Sequence, residues 1–100
     1  MKIKEVDAEQ IRPLRHKELR QGKPFSTTSY QKDNEKETFH LACYINNKIV
    51  SCATFYPEKS DVFQAKKAYR LRGMATDEKY RKKGCGKKII TSIFLFLNNL

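Results

Sequence analysis

Tyr69-Arg70-Leu71-Arg72-Gly73-Met74-Ala75-Thr76-Asp77-Glu78-Lys79-Tyr80-Arg81-Lys82-Lys83-Gly84-Cys85-Gly86 is the stretch on which the reading of this chain turns. Its first half alternates, with Tyr69, Leu71, Gly73 and Ala75 set against Arg70, Arg72, Met74 and Thr76, and this predicts a strand from Lys67 to Thr76. Gly73 in mid-strand predicts a bulge or a close backbone approach. Asp77 to Tyr80 makes a turn, and Arg81-Lys82-Lys83-Gly84-Cys85-Gly86 then has the form R-x-x-G-x-G directly ahead of an apolar helix, Lys87 to about Leu97. Glycines at that spacing let successive backbone N–H groups converge, and the helix behind them adds the positive end of its dipole. The segment reads as a pyrophosphate cradle. A bare G-x-G is common; the weight comes from Arg81, from Lys82, Lys83, Lys87 and Lys88, and from the strand and helix on either side. The alternative is a glycine-containing N-cap loop with a solvated basic face.

Working outward, 100 residues at 39% hydrophobic content make one domain, residues 1–100, with a single small core. Lysine and arginine number 21 against 11 acids, a formal net charge of +10, which predicts attraction to polyanions. Nucleic acid, a membrane surface and a phosphorylated ligand all qualify. The basic residues thicken between Lys66 and Lys88, around the cradle, which favours a phosphate-rich small molecule. Cys43, Cys52 and Cys85 are an odd set without C-x-x-C spacing, so neither a disulfide framework nor a metal site is expected, and a reducing cytoplasm is. Met1 to Val6 alternates and reads as a strand rather than a signal peptide. The longest apolar stretch, Ile89 to Leu97, is interrupted by Thr91 and Ser92 and is too short for a bilayer, so a soluble protein without a membrane partner is expected.

Asp7 followed by Gln10 has the form of a capping box, and Ile11, Leu14 and Leu19 fall roughly on one face of the helix behind it. Pro13 leaves two options, a helix that begins there or one kinked there. Gly22 and Pro24 end it. Lys23 to Glu37 is polar and without a period, a long loop with room for a short helix. Thr38–Ile45 and Lys48–Tyr56 are β-runs joined by Asn46-Asn47, which suits a tight hairpin turn of positive φ. Pairing Ile45 with Lys48 puts Phe39, Leu41, Cys43 and Ile45 on one face with Val50, Cys52 and Tyr56. Ala42, Tyr44, Ile49, Ala53 and Phe55 take the other. Both faces are largely apolar, which predicts helices on each side of the sheet and an α/β or α+β fold. Pro57 to Lys66 is a charged turn region. In the last helix Ile89, Ile90, Ile93, Phe94 and Leu97 recur at helical spacing.

The order strand, helix, loop, hairpin, strand, R-x-x-G-x-G, helix resembles the GNAT superfamily of N-acetyltransferases. The segment Tyr69 to Gly86, with its aromatic Tyr80 just ahead of Arg81, is similar to that family's central acetyl-CoA motif over its full length. The resemblance implies a mixed, mostly antiparallel sheet flanked by helices on both faces, and transfer of an acyl group from acetyl-CoA to a primary amine by direct attack. It further implies that Arg81, Lys82, Lys83, Gly84, Cys85 and Gly86 line the CoA pyrophosphate, and that Lys82, Lys83 and Lys87 reach CoA phosphates. Met74, Ala75 and Thr76 stand where the family's fourth strand offers backbone groups to the pantetheine arm. Two departures bear on catalysis. The family often places a base carboxylate on its fourth or fifth strand, whereas no Asp or Glu lies between Asp61 and Thr76. The family also continues past the motif helix with a fifth strand and the usual tyrosine acid, whereas this sequence ends at Leu100. A fourth strand left at the edge leaves two alternatives: a second copy covers it, by dimerisation or strand exchange as a homodimer, or the sequence is a fragment, the N-terminal portion of a domain incomplete at its C-terminus.

Remaining residues are weighed in the same frame. Cys85 in the cradle invites a nucleophile reading against one in which its side chain points into the core. Cys43 and Cys52 read as small apolar fillers of one buried sheet face. By the resemblance the loop after the first helix walls the acceptor pocket, which makes Tyr30, Tyr56 and His40 candidates for it. His16 and His40 have no carboxylate constellation in the sequence, so a structural role competes for both. Three functions follow: an N-acetyltransferase acting on a small-molecule or peptide amine, a CoA-binding module without catalysis, and a basic nucleic-acid-binding protein. No interleaved basic and aromatic groove supports the last, so nucleic acid is not the expected partner.

Overall fold

Asp7 ends the first strand and starts the first helix through one local device. Its N–H donates to Gln10 Oε1 (2.9 Å), the Gln10 side-chain arm of the expected capping box, while the Gln10 N–H donates to the Asp7 backbone carbonyl (3.0 Å) and closes the first turn. The computed structural model describes residues 1–57 and 69–97, the side chains of Phe94, Phe96 and Leu97 excepted. Most of the charged turn region and the first two residues of the strand expected from Lys67 lie outside the described residues. In chain order the elements are β1 (Lys2–Val6), α1 (Ala8–Leu19), a 3₁₀ turn (Phe25–Thr28), β2 (Phe39–Ile45), β3 (Lys48–Pro57), β4 (Tyr69–Thr76), a second 3₁₀ turn (Glu78–Tyr80) and α2 (Cys85–Leu97).

The strands form one sheet in the order β1-β2-β3-β4, and every described pair is antiparallel. Among the described residues β4 has a strand partner on one side only. Helix α1 covers one face, packing Ile11 and Leu14 on Ala42, Cys52 and Ala75. Helix α2 covers the other, packing Cys85 and Ile89 on Phe39, Leu41, Cys43, Val50, Ala53 and Phe55. Ile11, Leu41, Val50 and Ile89 are wholly removed from solvent, and each such side chain contributes about 1.5–3 kcal/mol.

Three expectations are corrected. First, α1 runs from Ala8 straight through the exposed Pro13, and its inward face is completed by Arg15 and by the Glu18 side chain, while Leu19 is 39% exposed. Second, the Asn46-Asn47 turn forms with both residues at positive φ and Ile45 opposite Lys48, but the register then slips so that Cys43 faces Ser51. Val50 is the extra residue. Beyond it Ala53 and Phe55 join the Phe39, Leu41 and Cys43 face, and Cys52 and Tyr56 move to the α1 side. Cys43 and Cys52 thus lie on opposite faces. Third, the alternation read along β4 does not run its whole length, because the bulge that the glycine cue predicts does form: Gly73 sits at φ +59, and the pairing slips between Cys52–Ala75 and Thr54–Arg72. The simple alternation of β4 is therefore broken, with Leu71 opposite Phe55 on the α2 side and Ala75 opposite Cys52 on the α1 side. In α2, Ile89 is buried and Ile93 packs against the core, whereas Ile90 is 38% exposed; the Phe94 and Leu97 side chains lie outside the described residues.

Candidate functional site

The chain leaves β4 through Asp77, whose N–H donates to Val50 O (2.8 Å) and whose carboxylate accepts from the Lys79 N–H (3.0 Å). Lys17 Nζ of α1 donates to the same carboxylate at 3.0 Å. The Lys79 N–H first, and then Lys17, hold the Asp77 carboxyl below the usual carboxylate range. Asp77 is buried, so it ties the entrance of the loop to β3 and α1 at once.

From Tyr80 the backbone turns through Lys82 at φ +63 and Gly84 at φ +83 and enters α2 at Cys85. The helical ladder begins with the Lys88 N–H donating to Gly84 O (2.9 Å), so the amides of Cys85, Gly86 and Lys87 precede it at the positive end of the helix. Gly84 has nothing within 4 Å of the position a Cβ would take, so it is needed for its left-handed backbone rather than for its smallness. Gly86 has another reason: a Cβ there would stand 2.8 Å from Met74 Cε, so its smallness lets α2 lie close on β4. Cys85 is 1% exposed and points into the core. Its Sγ lies 4.0 Å from Tyr80 O, so Cys85 meets the loop's outer side only through its amide. Lys82, Lys83 and Lys87 are exposed around the loop. Arg81 reaches sideways: its Nη2 donates to Glu18 Oε1 (3.3 Å) and its Nε to Thr76 O (3.4 Å). The arrangement suits an anion held by backbone amides and ringed by lysines.

On the α1 side of the sheet a second arrangement is built from side chains distant in sequence. Arg15 has no exposed surface, yet it donates to both oxygens of Asp33 (2.6 and 3.0 Å), to Thr28 O (2.9 Å) and to Thr54 Oγ1. His40 closes the ring. Its Nδ1 meets Thr54 Oγ1 at 2.8 Å and its Nε2 meets Asp33 O at 3.0 Å, which the neutral Nε2–H tautomer satisfies at both nitrogens. Burial, the largest cause, pushes His40 below its ordinary pKa and keeps it neutral. Burial opposes ionisation of Asp33, but the hydrogen bonds from Arg15 and the Tyr30 N–H prevail and hold its carboxyl below the usual range. His40 is therefore a structural member of the ring.

The ring fixes the loop after α1 against β3 and sets Tyr30 over the β4 bulge. The Arg15 guanidinium lies 4.0 Å from the Tyr30 ring centre, and a Cβ on Gly73 would stand 2.7 Å from Tyr30 Cε2. Tyr30 and Tyr56 come together, with Lys32, Asp33, Thr54 and Arg72, around a pocket of about 180 Å³ beside the bulge. A larger recess of about 720 Å³ lies instead against the end of β1 and the start of α1, with Glu5, Asp7, Glu9 and Glu35 in its walls. It borders neither the cradle nor the bulge. Burial pushes the thiols of Cys43 and Cys52 up to about 11, which suits fillers rather than nucleophiles. Among the described residues no group of three His, Cys, Asp or Glu is placed to hold a metal ion.

A model of the acetyltransferase (GNAT) family matches residues 8–96, which takes in both the cradle and the Arg15 ring. The chain belongs to that family. It is 32% identical over 90 residues to the uncharacterized N-acetyltransferase YitI of Bacillus subtilis (strain 168), a match that covers 90% of this chain and 60% of that protein. The chain thus spans about three fifths of the length of this GNAT relative. Among solved structures it is similar to a ribosomal-protein-alanine N-acetyltransferase from Brucella melitensis biovar Abortus 2308, with a TM-score of 0.72 at 17% identity, covering 93% of this chain and 69% of that one. It is also similar to the aminoglycoside N-acetyltransferase AAC(6')-Iy in complex with CoA, with a TM-score of 0.76 at 14% identity, covering 98% and 69%. At these identities the likeness to solved GNAT structures is one of fold.

Sequence reading missed Arg15, Asp33, Thr54 and Glu18. The only signal for Arg15 and Glu18 is positional, because they fall four and seven residues after Ile11 on the inward stripe of α1. The Glu18 side chain is 6% exposed, and its Oε2 has no partner while Oε1 meets Arg81.

Proposed function

We propose that this chain belongs to an acetyl-CoA-dependent N-acetyltransferase that acts on a primary amine of a small molecule or peptide. The observation that carries the reading is the loop from Arg81 to Gly86, left-handed at Lys82 and Gly84 and opening into α2, set directly after a bulged strand that among the described residues has a strand partner on one side only. The loop suits a pyrophosphate, because the amides of Cys85, Gly86 and Lys87 precede the helical ladder, the space beside Gly84 is open, and the Asp77 carboxylate is already paired with Lys17. The amides of Gly84 to Lys87 would hold the pyrophosphate, with Lys82, Lys83 and Lys87 around it. Met74, Ala75 and Thr76 would offer backbone groups to the pantetheine arm. Acetyl-CoA supplies an activated thioester, from which the acetyl group passes to the amine nitrogen as an N–C bond forms and the C–S bond breaks. Tyr30 and Tyr56 would wall the acceptor, placed by Arg15 beside the bulge, so that the amine meets the thioester at close range.

A second reading, CoA binding without turnover, is favoured by the absence of any carboxylate on β4 between Tyr69 and Thr76. The three cysteines are free and buried, which supports a reducing, cytoplasmic setting. No described helix is long and apolar enough to cross a membrane. We extend the proposal to a homodimer in which a second copy covers the free side of β4; light scattering at tens of micromolar tests it, and a clean monomer overturns it.

Calorimetry with CoA and with a single-stranded oligonucleotide at physiological salt tests the main reading. CoA binding is expected. Oligonucleotide binding with no response to CoA overturns it. Thiol release from acetyl-CoA over an amine panel then separates enzyme from binder.

A further inference from the structure

The pocket beside the β4 bulge has an uneven charge. Its walls carry two cations, Lys32 and Arg72, both exposed. Lys32 Nζ lies 4.9 Å from the Tyr56 ring centre and the Arg72 guanidinium 5.9 Å from that of Tyr30. Among the described residues no carboxylate lies within salt-bridge distance of either. Among the described residues the acid in the walls is Asp33, and it is already engaged: both its oxygens take Arg15, and Oδ2 also accepts the Tyr30 N–H at 3.0 Å. It is buried, so it has no lone pair turned to a ligand's ammonium group. What faces the space, among the described residues, is two tyrosine rings and two cationic heads, each set against a ring face, a weak contact that an anionic group can outcompete.

We infer that this pocket selects an amine that also carries a carboxylate or phosphate group, and rejects polycationic acceptors. The inference rests on the acetyltransferase reading and names its substrate class. Lys32 and Arg72 give the anionic group charge-assisted hydrogen bonds, and Arg72 offers a planar fork matched to a carboxylate or phosphate. The tyrosine rings hold the apolar part of the molecule. The same cations act on the reacting nitrogen. A nearby positive charge disfavours an ammonium ion, so more of the bound amine is in the free-base form that attacks a thioester. This matters on a strand that offers no carboxylate base.

The test uses the full chain saturated with CoA. Calorimetry is run with two matched pairs, β-alanine against β-alaninamide and O-phosphoethanolamine against ethanolamine, and with kanamycin as the polycation; thiol release from acetyl-CoA is followed on the same five compounds. The acid of each pair is expected to bind about tenfold more tightly than its neutral partner, and kanamycin not at all. R72Q and K32Q should each remove most of that preference, raising KM for the acids more than they lower kcat and leaving KM for the neutral partners nearly unchanged. Circular dichroism identical to the parent chain shows that the variants fold. Equal or tighter binding of the neutral partners, preference for kanamycin, or no binding of any of the five overturns the inference while CoA binding still upholds the acetyltransferase reading. A chain that does not bind CoA removes both.

Discussion

The cradle, where β4 gives way to α2, and the Arg15 ring, under α1, are built on opposite principles. The cradle is six consecutive residues whose cations are exposed and whose shape comes from two left-handed residues and a helix start, and in the proposed function it binds through its backbone amides. The ring joins α1, the following loop, β2 and β3 through buried side chains, with a guanidinium that has no exposed surface at its centre. A site made of backbone tolerates changes of side chain but not of φ. A site made of buried charge tolerates no loss of a partner. The two halves should therefore fail in different ways when altered.

The hardest blow falls on the ring. R15A strands the Asp33 carboxylate in the interior, and we expect a loss of about 3–5 kcal/mol in chemical denaturation, with CoA affinity falling only as the folded fraction falls. A mutant of unchanged stability would erase the distinction. G73A comes next, because a residue at φ +59 must also push aside a Tyr30 ring pinned on Arg15. We expect about 2 kcal/mol of destabilisation and, for any acceptor turned over, a higher KM with CoA affinity nearly intact. G84A meets no atom within 4 Å, so only its φ of +83 resists. We expect about 1 kcal/mol and a clear drop in CoA affinity by calorimetry, the reverse of the Gly73 pattern.

The smallest effect is on pH dependence, which falls in two windows, one set by a ring histidine and one by carboxylates of both sites. His40 has a lowered pKa, so the folded state resists protonation; its contribution is intact above the ordinary 6.5 and is lost as pH falls through the lower folded value. Asp33 and Asp77 are also lowered, so the stability they add is present above the ordinary 3.8 and is lost as pH falls through their folded values. Urea midpoints measured from pH 8 downward should show a shallow decline below 6.5 that H40Q abolishes, then a steeper one below 3.8 that H40Q leaves in place. A single decline, unaffected by H40Q, would show that His40 does not titrate with folding.

What could be read in the sequence follows the same division. The capping box at Asp7 and Gln10, the Asn46-Asn47 turn, the bulge glycine at Gly73 and the R-x-x-G-x-G loop are signals contained within a few residues, and each forms where it was expected. The Arg15 ring has no such signal, because Arg15, Asp33, His40 and Thr54 meet only after the sheet and loop are in place. Tyr30 and Tyr56 entered as acceptor candidates through family resemblance, not through a pattern of their own. The sheet faces failed for a physical reason: alternation carried inward from a known turn holds only until an unpaired residue intervenes, and nothing in Ile49-Val50-Ser51 marks Val50 as that residue. Leu19 failed because an inward helix stripe was assumed to be apolar, whereas Arg15 and Glu18 occupy it.

The extra residue at Val50 makes chain length a coordinate of the Arg15 side of the sheet. Removing that one codon would leave composition, charge and the Asn46-Asn47 turn almost untouched, yet every residue of β3 beyond it would exchange front for back. Thr54 would leave Arg15 and His40, Tyr56 would turn from Tyr30 toward α2, and Phe55 would be driven into the ring. Most substitutions at Val50 trim a contact, but its deletion would rewrite which half of the strand belongs to which side of the protein.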